Sequence, residues 1–145
     1  MLKGIPSILT PELLKILMEM GHGDELVLAD GNYPRFGHPE RVVRLDGHGI
    51  PEILDAIVRF MPLDTYVEYP VVFMAVLPGD PYVPTIWDTY REIIAKHEND
   101  NIKDEAICKA EFYARANKAY AVVTTSETAL YANVILKKGV IMIGT

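Results

Sequence analysis

Cysteine is nearly missing from this chain of 145 residues, with Cys108 the only one. An internal disulfide and any zinc cluster built on cysteines are therefore excluded, which fits a reducing compartment. Cys108 is expected to act as a small buried hydrophobe. Basic charge is also scarce: 14 Lys and Arg against 20 Asp and Glu leave a formal charge of −6 and a pI near 5.1. Nucleic-acid surfaces need clustered cations, and the Lys137-Lys138 pair is too small to provide one, so nucleic-acid binding is not expected. No stretch approaches the ~18 apolar residues of a membrane helix, and Met1 to Pro6 lacks the pattern of a signal peptide. The expectation is a soluble, cytoplasmic protein without a membrane partner.

Catalytic signatures with fixed spacing are absent as well. There is no His-Glu-x-x-His helix, no calcium-loop pattern, no Gly-x-x-x-x-Gly-Lys phosphate loop and no Gly-x-Ser-x-Gly elbow. A metal site drafted from His22, Asp24, Asp30 and His48 has legitimate ligand types but no supporting spacing, so no metal is expected. Asp46-Gly47-His48-Gly49 reads as a tight turn rather than a phosphate cradle. Repeats, low-complexity tracts and long linkers are missing too, and with 50% hydrophobic residues the whole of 1–145 reads as one domain.

What is present is an alternation of helices and short apolar strands. Thr10-Pro11-Glu12 starts a helix, Leu13, Leu14, Leu17 and Met18 form its apolar stripe, and Gly21 is placed to stop it in a left-handed conformation. Leu26 to Ala29 is a buried strand, followed by the turn-rich Asp30 to Pro34 and a long loop, Gly31 to Glu40, with functional potential. Val42 to Leu45 is a second strand, and Pro51 opens a helix with Ile53, Leu54, Ile57 and Phe60 on one face. Val71 to Leu77 reads as a strand covered on both sides. Helices are expected over Pro84 to His97 and Asp104 to Asn117, separated by a polar surface loop. Strands at Ala119 to Thr124 and Val134 to Leu136 flank a turn from Ser126 to Leu130. The class is α/β with a mostly parallel central sheet.

Within this pattern the segment Gly21 to Asp30 holds the most chemistry, an imidazole before a short strand and a carboxylate after it. The pair has the residue types to move protons, yet a structural histidine and a turn-forming aspartate explain the same residues. Ligands on such sheets bind outside the carboxyl ends of the strands, which selects Asp30 and leaves His22 at the wrong end. A fold back or a neighbouring subunit would be needed to unite them. Near the end, Tyr131-Ala132-Asn133 offers a phenol, backbone groups and a carboxamide in three residues, although on the residues alone packing by Tyr131 and a turn at Asn133 are the favoured reading.

Longer stretches carry a resemblance. Met1-Leu2-Lys3-Gly4-Ile5, Pro11-Glu12-Leu13-Leu14, Glu19 to Glu25, Leu28-Ala29-Asp30, Phe112 to Ala116, Lys118 to Val123 and Tyr131 to Val140 resemble the bacterial ribose pyranase and L-fucose mutarotase family. The likeness spans nearly the whole chain and is weakest from Gly79 to Glu105. Phe112-Tyr113 and Leu136 to Val140 bring it nearer the fucose branch. The resemblance implies a three-layer α/β/α sandwich and a cofactor-free isomerase acting on a monosaccharide, with L-fucose the first choice and D-ribose the alternative. A non-catalytic sugar-binding module is the outside reading. His22 would be the acid/base, with Asp30, Tyr131, Ala132 and Asn133 contacting the sugar, and Tyr113 or Tyr120 available to stack on it. Lys109 would be a further ligand, standing where the fucose branch usually carries arginine and the ribose branch histidine; it keeps a donor without arginine's planar fork. Family members form rings, commonly decamers, so the resemblance also implies a homodecamer with sites at subunit boundaries.

Overall fold

The computed structural model describes residues 1–98 and 101–143. Six strands form one sheet in the order β2-β5-β1-β6-β3-β4: β1 Glu25–Ala29, β2 Arg41–Leu45, β3 Val71–Met74, β4 Asp104–Ile107, β5 Ala121–Thr125 and β6 Val134–Lys137. The pairs β1·β5, β2·β5 and β3·β4 are parallel, whereas β6 runs antiparallel to both β1 and β3. Ile135 of β6 sits in register with Val27 on one side and Val72 on the other. The mostly parallel sheet thus carries one reversed strand at its centre.

Alternate side chains of each strand enter separate cores, as the two-residue period of a strand requires. Leu26, Leu28, Val123, Val134 and Leu136 pack beneath α1 (Pro11–Glu19), α2 (Ile50–Val58) and α3 (Ile86–His97). Val27, Ala29, Val72, Val122 and Ile135 face α4 (Lys109–Asn117) through Phe112 and Ala116. The architecture is the expected three-layer α/β/α sandwich. Its apolar runs lack alternation because helices cover both faces.

Local signals explain where several elements begin. The Thr10 hydroxyl accepts the Leu13 N–H at 3.2 Å, Pro11 occupies the first turn, and Glu12 complements the helix dipole. Glu52 Oε1 accepts the Gly49 N–H at 3.3 Å at the start of α2. Other expectations need correction. Gly21 is not left-handed; α1 ends at Glu19, and the positive φ of 88° belongs to Gly23. Met18 and Phe60 are exposed, Phe60 because α2 stops at Val58.

The largest correction concerns 104–117, expected as one helix. Asp104 to Ile107 instead pairs in parallel with Val71 to Met74 as an edge strand, and the helix starts at Lys109. Strand pairing overrides the polar, helix-like composition here. Cys108, at the junction as the N-cap, is consequently exposed rather than buried. The strand expected to reach Leu77 ends at Met74, and the polar loop at 97–104 lies partly outside the described residues.

Candidate active site

His22 lies at the amino end of β1, in the turn that follows α1. Its Nε2 is 3.0 Å from Asp64 Oδ1, and its ring packs on Tyr66 at 5.2 Å. A carboxylate only accepts, so Nε2 carries the proton in this pair and Nδ1 holds the free lone pair. Asp64 is 3% exposed at its side chain against 47% for His22, so the carboxylate is anchored while the imidazole faces outward. Burial pushes the Asp64 carboxyl up, but the Tyr66 N–H, the His22 bond and the Lys137 charge outweigh it and hold it below the usual carboxylate range. Asp64 was not legible as a site residue, because 42 positions separate it from His22. The only signal is an acid directly after the apolar Met61-Pro62-Leu63.

The other candidate residues gather at the opposite end of the sheet. A cavity of about 280 Å³ opens outside the carboxyl ends of β1 and β3, lined by Asp30, Tyr33, Lys109, Tyr113, Tyr131 and Asn133 among others. Because β6 is antiparallel, the residues before it arrive beside the residues after β1. Asn133 Oδ1 accepts the Asp30 N–H at 2.7 Å, which leaves the carboxamide NH2 as a donor. Asp30 Oδ1 accepts the Asn32 N–H at 2.9 Å. Burial raises the Asp30 pKa, the Asn32 bond lowers it, the Glu127 charge raises it, and the net shift is upward. Burial likewise raises the Tyr113 phenol, with the Asp30 charge adding to it. Lys109 Nζ stands 5.9 Å from the Tyr113 ring centre.

Tyr131 is the one described non-glycine residue with positive φ, at 57°. Helix α3 holds this segment through two residues one turn apart: Trp87 Nε1 donates to the Tyr131 carbonyl at 2.8 Å, and the Tyr90 hydroxyl to the Ala132 carbonyl at 2.7 Å. Ala132 is itself fully buried, so the structure gives it a supporting place, not a cavity wall. Tyr120 is also away from the cavity, its ring under Arg41 at the amino end of β5. His48 pairs with Glu52, apart from both His22 and Asp30. Among the described residues no three His, Cys, Asp or Glu side chains converge as metal ligands. A larger hollow of about 520 Å³ lies between α3 and β4, but there Arg91 and Asp104 are spent on each other.

The model of the RbsD / FucU transport protein family matches residues 3–141. The chain belongs to that family. It is 53% identical over 150 residues to a fucose mutarotase of Danio rerio, covering 97% of this chain and 94% of the relative. Among solved structures, the fucose mutarotase of Streptococcus pneumoniae in complex with L-fucose is 52% identical with a TM-score of 0.89, covering 97% of this chain and all of that one. FucU from Bifidobacterium longum is 48% identical with a TM-score of 0.91, at the same coverage.

Set on this family fold, the six residues singled out in the sequence fall into two groups. Asp30, Lys109, Tyr131 and Asn133 share the cavity, with Ala132 behind them. His22 belongs to the other end, and β1 alone keeps it ~15 Å from Asp30 at the usual strand rise. Among the described residues no fold back closes that gap.

Proposed function

We propose that the chain is an L-fucose mutarotase, an isomerase interconverting the α and β anomers of the free sugar, with 1–145 acting as one mutarotase domain in the cytoplasm. The observation that carries this reading is the convergence of Asp30, Lys109, Tyr131 and Asn133 on one sugar-sized cavity in a chain 52% identical to a fucose mutarotase seen with L-fucose. Mutarotation opens the hemiacetal: the ring oxygen gains a proton, the anomeric hydroxyl loses one, the carbonyl group turns and the ring recloses on its other face. Each transfer suits an imidazole, whose ordinary pKa of ~6.5 permits both directions at neutral pH.

His22 is the acid/base in this proposal. The Asp64 carboxylate accepts the hydrogen bond from Nε2–H and fixes the ring, so Nδ1 is the atom that exchanges protons with the sugar. Asp30 and the Tyr131 oxygen accept from sugar hydroxyls, while the Asn133 NH2 and the Lys109 ammonium donate. A monosaccharide is too short to reach from that cavity to His22 of the same chain. We therefore place His22 in the cavity of a second copy, in a homo-oligomeric ring, by family analogy a decamer, with sites at subunit boundaries.

Exchange NMR on L-fucose tests the reading. Catalytic amounts of protein are expected to accelerate α/β exchange, and His22→Ala to cut that acceleration by roughly 10² to 10⁴, the usual worth of a positioned acid/base. Acceleration of D-ribose pyranose–furanose exchange alone would identify a ribose pyranase. Saturable L-fucose binding without acceleration would leave a sugar-binding module.

A further inference from the structure

One strap of chain grips the Tyr131 phenol from several sides. Leu77-Pro78-Gly79-Asp80 forms a turn with proline second, Gly79 third at φ 87°, and the Asp80 N–H donating to the Leu77 carbonyl at 3.0 Å. Asp80 Oδ1 then accepts the Tyr82 N–H at 2.9 Å, an Asx turn that fixes the carboxylate. Its other oxygen, Oδ2, accepts the Tyr131 hydroxyl proton at 2.6 Å. The same phenol oxygen accepts the Leu77 N–H at 3.2 Å, and the Tyr82 ring stacks on Tyr131 at 5.9 Å.

This arrangement lies on the exposed side of the cavity, where a single polar pair adds little to fold stability. Its organisation has a different outcome. A phenol owns one proton, and here that proton is committed to Asp80 while the Leu77 N–H takes one lone pair, so a single acceptor position is left for the cavity. Leu77, Asp80 and Tyr131 all line that cavity.

We propose that Asp80 is a positioning residue for sugar binding, which sets Tyr131 as an acceptor for one sugar hydroxyl and holds its ring in place. The inference rests on the fucose mutarotase reading and deepens it, because the strap lies mostly in the segment where the family resemblance is weakest. Asp80 acts through Tyr131, so its effect exists only while the Tyr131 hydroxyl does.

A double-mutant cycle tests this. Asp80→Ala is expected to raise KM and the L-fucose dissociation constant about 3- to 10-fold, the worth of one hydrogen bond, with kcat within about twofold. In a Tyr131→Phe background the same change is expected to alter both by less than about twofold. An unchanged KM and dissociation constant in the single variant, or equal losses in both backgrounds, would overturn the proposal. A folded wild-type protein that binds L-fucose without accelerating its exchange would overturn the mutarotase reading alone, and the cycle is then decided on the dissociation constant. Circular dichroism of each variant separates loss of fold from loss of binding.

Discussion

At the scale of single residues, Asp30 in the proposed site costs the fold stability at neutral pH. Burial and Glu127 hold the Asp30 carboxyl above its ordinary pKa, so the folded state binds that proton more tightly than the unfolded chain does. Stability from this group is therefore present below the unfolded carboxylate pKa and lost as pH rises through the raised folded value. Asp30→Asn, which keeps an oxygen for the Asn32 N–H, is expected to raise the Tm at neutral pH, with the difference from wild type closing in acid, while L-fucose binding weakens. Thermal melts across pH check the sign; a gain that grows in acid would contradict it. Asp30 was legible because strand topology and family resemblance both point to it. Asp64 and Asp80 were not, since each acts on a partner 42 or 51 positions away that only the folded chain brings near.

Among the elements, α3 has a role beyond packing. Its Tyr90 is fully buried and donates its hydroxyl to the carbonyl of Ala132, which is also fully buried. Tyr90→Phe leaves that carbonyl without this donor and is expected to cost about 1–3 kcal/mol in urea unfolding. A loss confined to a few tenths would show that the carbonyl finds another partner. This support was hidden in the sequence, where Pro84 to His97 reads only as a helix. Elements with strong local signals, such as α1 with its Thr10 cap and β1 with its unbroken apolar run, were legible. Strand β4 was not, because Asp104-Glu105-Ala106-Ile107 owes its conformation to pairing with β3 rather than to its own composition.

At the scale of the whole molecule, each chain carries two incomplete halves of the proposed site. One end of the sheet has His22, the proposed proton carrier, on its buried acid, and the other has the groups proposed to bind sugar hydroxyls. Mixing inactive His22→Ala with inactive Asn133→Ala subunits, after dissociation and reassembly, is therefore expected to restore part of the activity, since some boundaries would pair two intact halves. Light scattering shows the state that is active: a monomer with full activity, or mixtures without recovery, would rule out shared sites. The division was foreshadowed by His22 preceding its strand, while the second copy proposed to complete the site leaves no mark in the sequence of a single chain.

The reversed strand has a consequence for synthesis. Without β6 the remaining strands fall into two separate groups, β2-β5-β1 and β3-β4, because β1 and β3 meet only through it. Tyr131 to Asn133 lead directly into that strand. A nascent chain emerging from the ribosome can therefore pair β3 with β4 first, but β2 and β1 wait for Ala121–Thr125 to bridge them, and the proposed sugar cavity is not complete until Val134–Lys137 has left the exit tunnel and joined the two parts. Completion of the proposed cavity and of the sheet become one late event, so a translation product cut short before Val134 would lack both.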